Sequence, residues 1–119
     1  MKKILIVDDS LFMRKILKDI LTDKYKIVEA ATGPQAEKQF KKENPDLVLL
    51  DMIMPEGEEE GLRVLKNIMK SDSRAKVIMV SAVGQDAMME ECKKLGVKEY
   101  VVKPFDEKQV AKMVEKYLK

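Results

Sequence analysis

The sequence predicts an α/β fold: a doubly wound five-stranded parallel sheet with helices on both faces, built as one domain over residues 1–119. Two observations predict it. Apolar runs of β-formers recur at Ile4 to Val7, Leu47 to Leu50, Val77 to Val80 and Tyr100 to Val102, and they are continuous rather than alternating, as in strands buried on both faces. Between them lie segments of helical length with apolar residues spaced by three and four, so strand and helix alternate as a parallel sheet with crossover helices requires.

Taken in order, the first strand is Ile4 to Val7, and it runs into Asp8-Asp9. The first helix places Met13, Ile16, Leu17, Ile20 and Leu21 on one apolar face. The second strand is the weakest, centred on Ile27-Val28. The second helix is entered through Gly33-Pro34, since proline at the first turn gives up only an N–H that has no helical partner, and it turns Ala36 and Phe40 inward. Leu47 to Leu50 form the third strand, ending at Asp51, and the next helix is carried by Val64, Leu65, Ile68 and Met69. The fourth strand ends at Ser81. A helix from about Asp86 to Leu95 follows, stopped by Gly96. The fifth strand ends at Lys103, and Asp106 caps a last helix striped with Val110, Met113, Val114, Tyr117 and Leu118.

Composition excludes several classes of function. Net charge is +2 from 23 basic and 21 acidic residues, which gives no strong field for nucleic acid or an anionic membrane. No apolar run approaches transmembrane length, and Met1-Lys2-Lys3 passes directly into a strand without a signal peptide, so a cytoplasmic protein with no membrane partner is expected. Cys92 is the single cysteine and lies on an apolar helical stripe, which suits packing in a reducing compartment. There is no histidine, so neither imidazole base catalysis nor phosphohistidine chemistry can occur within the chain.

The polar residues at the strand ends carry the chemistry. Ligands of open α/β sheets bind outside the carboxyl ends of the strands, and there this chain places Asp8, Asp9, Asp51, Ser81 and Lys103. Close carboxylates repel by roughly a few kcal/mol per pair at an effective dielectric of about 20, so the cluster calls for a cation. An all-oxygen ligand set selects Mg²⁺ over zinc, and Mg²⁺ is characteristically shared between carboxylates, water and a phosphate. Lys103 would neutralise a phosphoryl oxygen, Ser81 would hydrogen-bond another, and one carboxylate would attack phosphorus to form an acyl phosphate. Taken singly, each residue has a plainer role: Asp9 or Ser10 as a helix cap, Ser81 as a turn hydroxyl, Tyr100 as a core aromatic. Capping gives no reason for Asp51, Ser81 and Lys103 to share one edge.

The segments Val7-Asp8-Asp9-Ser10, Leu50-Asp51-Met52-Ile53-Met54-Pro55, Val80-Ser81-Ala82 and Val102-Lys103-Pro104-Phe105 resemble the receiver domain of two-component response regulators. The resemblance spans essentially the whole chain. Ser81-Ala82-Val83-Gly84-Gln85 and Phe12-Met13-Arg14 are most similar to the single-domain chemotaxis regulators of that family. The resemblance implies a flavodoxin-like fold with strand order 2-1-3-4-5 and a cis Lys103–Pro104 bond. It implies that Asp51 is the phosphoacceptor, that Asp9, Asp51 and the backbone carbonyl of Ile53 bind Mg²⁺ directly, and that Asp8 binds it through water. Ser81 and Lys103 would contact the phosphoryl group, and Tyr100 would change rotamer as Ser81 moves toward it.

The implied donor is a histidine kinase. The implied output is a protein target bound through the fourth helix, fifth strand and fifth helix, with Met88, Met89 and Phe105 in or beside that surface. The chain ends directly after its last helix, so unless it is a fragment of a larger regulator no nucleic-acid-binding or enzymatic effector is expected in cis. A monomer is also expected. It would be a phosphoacceptor that promotes its own phosphorylation and slow dephosphorylation rather than an enzyme. A phosphorelay intermediate that hands the group to a phosphotransfer histidine is the same-class alternative. A flavodoxin-like cofactor-binding module fits less well, because Asp8-Asp9 put negative charge where a flavin phosphate needs uncharged donors. An aspartate-nucleophile phosphatase would need an Asp-x-Asp arrangement after the first strand, where this chain has Asp8-Asp9-Ser10.

Two features depart from the family pattern. Glu56-Gly57-Glu58-Glu59-Glu60-Gly61 is about two residues longer than usual and densely acidic, which solvates a loop tip, complements the next helix dipole, and could tune metal affinity or partner choice. Ile53 and Val83, two residues beyond Asp51 and Ser81, are apolar where many relatives carry groups that orient a hydrolytic water, and this predicts a long-lived phosphorylated state.

Overall fold

The computed structural model describes residues 1–119, apart from the side chain of Glu58. The elements are β1 (Lys3–Val7), α1 (Leu11–Leu21), β2 (Lys26–Ala30), α2 (Gly33–Glu43), β3 (Leu47–Leu50), α3 (Glu58–Ser71), β4 (Val77–Ser81), α4 (Asp86–Lys94), β5 (Glu99–Val102) and α5 (Glu107–Leu118). The strands form one parallel sheet in the order β2-β1-β3-β4-β5. Each predicted element is present, and the strands differ from the predicted runs by a residue or two at their ends.

Alternation along the strands divides the core in two. Ile4 and Ile6 of β1 face Leu17 and Leu21 of α1 and Val110, Val114 and Leu118 of α5. Leu5 and Val7 face the opposite layer, where Ala36 and Phe40 of α2, Val64, Leu65 and Ile68 of α3 and Cys92 of α4 are buried. Each fully buried aliphatic side chain contributes roughly 1.5–3 kcal/mol. β3 is buried along its whole length, whereas the edge strand β2 buries only Ala30 and the edge strand β5 only Val101. That exposure explains why the second strand was faint in the sequence. Among the described residues, no helix is long and apolar enough to cross a membrane.

Local chemistry sets the helix ends. Ser10 Oγ accepts from Met13 N at 3.1 Å, Thr32 Oγ1 from Gln35 N at 3.2 Å, and Asp106 Oδ1 from Lys108 N at 2.9 Å, each satisfying a free first-turn amide. Asn44 takes the left-handed conformation after α2, and Gly96, with φ +106°, ends α4 as predicted. The carboxyl ends of the strands are stitched together by backbone bonds: Asp8 N donates to Ala30 O at 3.1 Å, Asp51 N to Val7 O at 2.9 Å and Lys103 N to Ser81 O at 2.8 Å. Sheet register therefore delivers the polar residues to one edge.

Candidate functional site

Asp8 and Asp51 leave adjacent central strands and are buried, with 2% and 5% of their surfaces exposed, while Asp9 projects into solvent. One carboxylate oxygen from each of the three lies within 4.8 Å of the others. Lys103, whose preceding strand β5 lies at the sheet edge, reaches across to them. Its Nζ is 2.8 Å from Asp8 Oδ2 and 3.2 Å from Asp51 Oδ2. The remaining oxygens are oriented by backbone amides, Ser10 N donating to Asp8 Oδ1 at 2.9 Å and Ile53 N to Asp51 Oδ1 at 3.2 Å. The Lys103–Pro104 bond is cis, as the resemblance implied.

Charge is unbalanced here, with three carboxylates about one ammonium. Burial pushes the Asp51 carboxyl above its ordinary value; Lys103 pulls it back and Asp8 adds to the rise. For Lys103, burial opposes the charged form, but the hydrogen bond to Asp8 and the charges of Asp51 and Asp8 outweigh it, so its pKa is also raised. Asp51 therefore holds its proton more tightly chiefly because it is buried, and Lys103 because carboxylates face it.

A hard divalent cation suits that excess. Around Mg²⁺ at about 2.1 Å, adjacent oxygens stand about 3.0 Å apart and opposite ones about 4.2 Å, so carboxylate oxygens within 4.8 Å of one another need close by about 2 Å at most, within reach of side-chain rotation. The donor set is all oxygen and includes no sulfur or imidazole. The residues present fit Mg²⁺.

Ser81 and Tyr100 are joined through one residue, Val83. Ser81 is fully buried at the end of β4, and its Oγ accepts from Val83 N at 3.2 Å, so its plain role as a turn hydroxyl is real. As a hydroxyl it can also donate one proton, and its hydrogen bond to the Tyr100 hydroxyl partly offsets the effect of burial there. Tyr100 is half-buried and donates its hydroxyl to the Val83 carbonyl. A movement of residue 83 therefore touches both side chains. Burial raises the Tyr100 pKa, so it stays a neutral donor.

Val83 itself packs against the α2–α4 core, whereas Ile53 is 37% exposed two residues beyond Asp51. Of the two apolar positions, Ile53 is the one open to solvent. Met88 packs against the α2–α4 core and Phe105 against the α1–α5 core. The acidic stretch is not one loop: α3 begins at Glu58, and Glu60 is buried against Arg63.

Sequence reasoning missed two supporting interactions, one made by Arg14 and one between Glu60 and Arg63. Arg14 Nη1 donates to the Asp8 carbonyl at 2.6 Å while its Nε donates to Glu29 at 3.1 Å, tying α1 and β2 to the first aspartate. Its place one turn after Asp8-Asp9 was the available signal. The pairing of Glu60 with Arg63 three residues on was legible as a helical spacing, but its burial was not.

The chain matches the family model for the response regulator receiver domain over residues 4–115. It is 44% identical over 120 residues to the chemotaxis protein CheY of Thermotoga maritima, covering 99% of this chain and 98% of that protein. It is 40% identical over 118 residues to sporulation initiation phosphotransferase F of Bacillus subtilis, covering 98% and 94% respectively. Among solved structures it is similar to the CheX-CheY-BeF3-Mg complex from Borrelia burgdorferi, with a TM-score of 0.90, 38% identity and coverage of 99% of this chain and 90% of that one.

Proposed function

Because the chain belongs to the response regulator receiver family, we propose that it accepts a phosphoryl group from a histidine kinase onto Asp51 and then changes the surface it offers to a protein target. The observation that carries this reading is the convergence of Asp8, Asp9 and Asp51 with Lys103 at the carboxyl edge of the sheet. Membership of the family supports a phosphorelay response regulator, and the relatives named as chemotaxis proteins support the chemotaxis type.

Asp51 is the carboxylate best placed to attack. It follows β3, flanked by β1 and β4, with one oxygen oriented by Ile53 N–H and the other by Lys103. An Asp51 oxygen forms the new bond to phosphorus as the phosphorus–nitrogen bond of the donor breaks, and the donor imidazole leaves with that electron pair and takes up a proton. Lys103 already bridges Asp8 and Asp51, and a short shift carries its ammonium onto a phosphoryl oxygen. Asp9, Asp51 and the Ile53 carbonyl would hold Mg²⁺ directly and Asp8 through water, and the ion would supply the positive charge that offsets phosphoryl and carboxylate oxygens.

Ser81 turns its hydroxyl proton to another phosphoryl oxygen. Because its Oγ is bonded to Val83 N and Tyr100 to Val83 O, that turn moves Val83, on whose carbonyl Tyr100 rests, and alters the surface around α4, β5 and α5. Donor docking has its own support. Leu11 and Phe12, immediately after the aspartate pair, are each 72% exposed, and with Ile53 they give the mouth of the site an apolar rim suited to a protein donor. On this reading the protein works in the cytoplasm, and its direct partners are proteins.

Incubation with acetyl phosphate tests the reading. One phosphoryl group should add in Mg²⁺ and none in EDTA, and Asp51→Asn should abolish addition; addition to the Asp51→Asn protein at the wild-type rate would refute it. The likeness to sporulation initiation phosphotransferase F favours a second reading, onward transfer to a phosphotransfer histidine. Rapid loss of the phosphoryl group to an isolated histidine phosphotransfer domain supports that reading. Phosphorylation-dependent binding to a motor or adaptor protein, without such transfer, supports the first.

A further inference from the structure

Glu60 has no part in the chemistry above, yet its carboxylate is buried while Glu56 and Glu59 nearby are exposed. Burying a carboxylate is costly unless it is paired. Glu60 Oε1 accepts from Arg63 Nε at 2.6 Å and Oε2 from Arg63 Nη2 at 2.9 Å, a two-pronged pairing. Arg63 then reaches α2, where its Nη1 lies 3.3 Å from Glu37 Oε2, and Asn67 donates to the same carboxylate. The Glu60 carboxylate also rests on the first residue of α2. A Cβ added to Gly33 would stand 2.2 Å from Glu60 Oε2, so the glycine makes room for it at the positive end of that helix.

The same turn of α3 holds the segment that follows Asp51. Gly61 N donates to the Met52 carbonyl at 3.2 Å and Glu60 N to the Gly57 carbonyl at 3.2 Å, while Met54 and Gly57 pair in an isolated antiparallel bridge. Residues 52–57 are thereby slung between Asp51 and a helical turn locked to α2.

We propose that Glu60, acting through Arg63 and Glu37, is a positioning residue for the metal site: it fixes the first turn of α3, and with it the segment carrying the Ile53 carbonyl. This rests on the Mg²⁺ reading above. Direct attraction between an acidic loop and the ion makes the opposite forecast at Arg63. Removing a positive charge would tighten Mg²⁺ binding through space, whereas removing half of a clamp loosens it.

The test is calorimetric titration of MgCl₂ into the full chain and its Glu60→Gln, Arg63→Gln, Arg63→Lys and Glu59→Gln variants, with amide hydrogen exchange on the metal-free proteins. Glu60→Gln and Arg63→Gln should each raise the Mg²⁺ Kd about three- to tenfold, with the double variant no worse than the weaker single, and Glu59→Gln should change it less than about twofold. Arg63→Lys keeps the charge and loses the fork, so it too should weaken binding. In the metal-free proteins the amides of Met54, Gly57 and Gly61 should exchange faster in the Glu60 and Arg63 variants, while those of β1 and β3 stay protected. Tighter binding by Arg63→Gln, or unchanged exchange at those three amides, overturns the positioning role and leaves the Mg²⁺ reading standing. A wild-type chain that does not bind Mg²⁺ overturns both.

Discussion

Removing the charge of Asp51 while keeping its shape should make the metal-free protein more stable. Carboxylate oxygens of Asp8 and Asp9 lie within 4.8 Å of one on Asp51, and at an effective dielectric of about 20 each repels it by about 3.5 kcal/mol. Lys103 at 3.2 Å attracts Asp51 by about 5 kcal/mol on the same scale. Asp9 is exposed and screened, so its share shrinks, attraction and repulsion roughly cancel, and the cost of burying the charge decides the sign. Asp51→Asn should therefore stabilise the chain by about 1–2 kcal/mol, or roughly 3–10 °C in Tm for a domain of this size.

Thermal unfolding followed by circular dichroism in EDTA and in Mg²⁺ measures it. The variant should melt above wild type in EDTA, and it should gain less from Mg²⁺ than wild type does. The pH dependence has a fixed sign. A carboxyl whose folded pKa is raised binds more protons folded than unfolded, so its favourable contribution is present at low pH and lost as pH rises through the raised value. The advantage of Asn in EDTA should accordingly be small below the ordinary carboxylate range, grow as pH rises through the Asp51 pKa, and then level off. A lower Tm for Asp51→Asn in EDTA at neutral pH would refute this electrostatic account.

Three other outcomes follow. Gly61→Ala places a Cβ 2.2 Å from the Met52 carbonyl, a backbone atom that cannot swing aside, and should cost about 1–3 kcal/mol in urea unfolding while slowing phosphorylation at Asp51. Ile53→Asn puts an amide at the exposed position beyond Asp51 and should speed loss of the phosphoryl group several-fold, read as decay of the phosphorylated mass after the donor is removed. Cys92 is fully buried, and burial pushes its thiol up to about 11, so a disulfide reagent at neutral pH should label it only after denaturant is added.

Much of this was legible because strand ends fix positions strongly. Once Ile4 to Val7 and Leu47 to Leu50 are strands, parallel register brings Asp8 and Asp51 side by side, and the same rule brings Lys103 next to Ser81. Helix faces were equally readable, since Leu17, Leu21, Val110 and Val114 recur with the helical period and are buried where it places them. β2 was faint because an edge strand keeps half its surface in solvent, and its Lys26 and Glu29 break the apolar run. Side-chain partners across elements were harder to foresee. The Thr32-x-x-Gln35 spacing around Pro34 was a readable N-cap signal for α2 that the apolar periodicity did not use, whereas Arg14 bonds a carbonyl, a group every residue has. Val83 shows the same limit: its spacing from Ser81 was visible, but the packing that turns it into the core belongs to α4 and the sheet together.

Borohydride trapping tests the central claim most directly. Hydride cleaves an acyl phosphate, releasing inorganic phosphate and leaving homoserine in place of the phosphorylated aspartate, so peptide mapping after acetyl phosphate and Mg²⁺ identifies which of the three carboxylates was the nucleophile. Homoserine at position 51, absent when Mg²⁺ is withheld, is the predicted result. Homoserine at position 8 or 9, with residue 51 unchanged, would contradict the assignment of Asp51 as the phosphoacceptor.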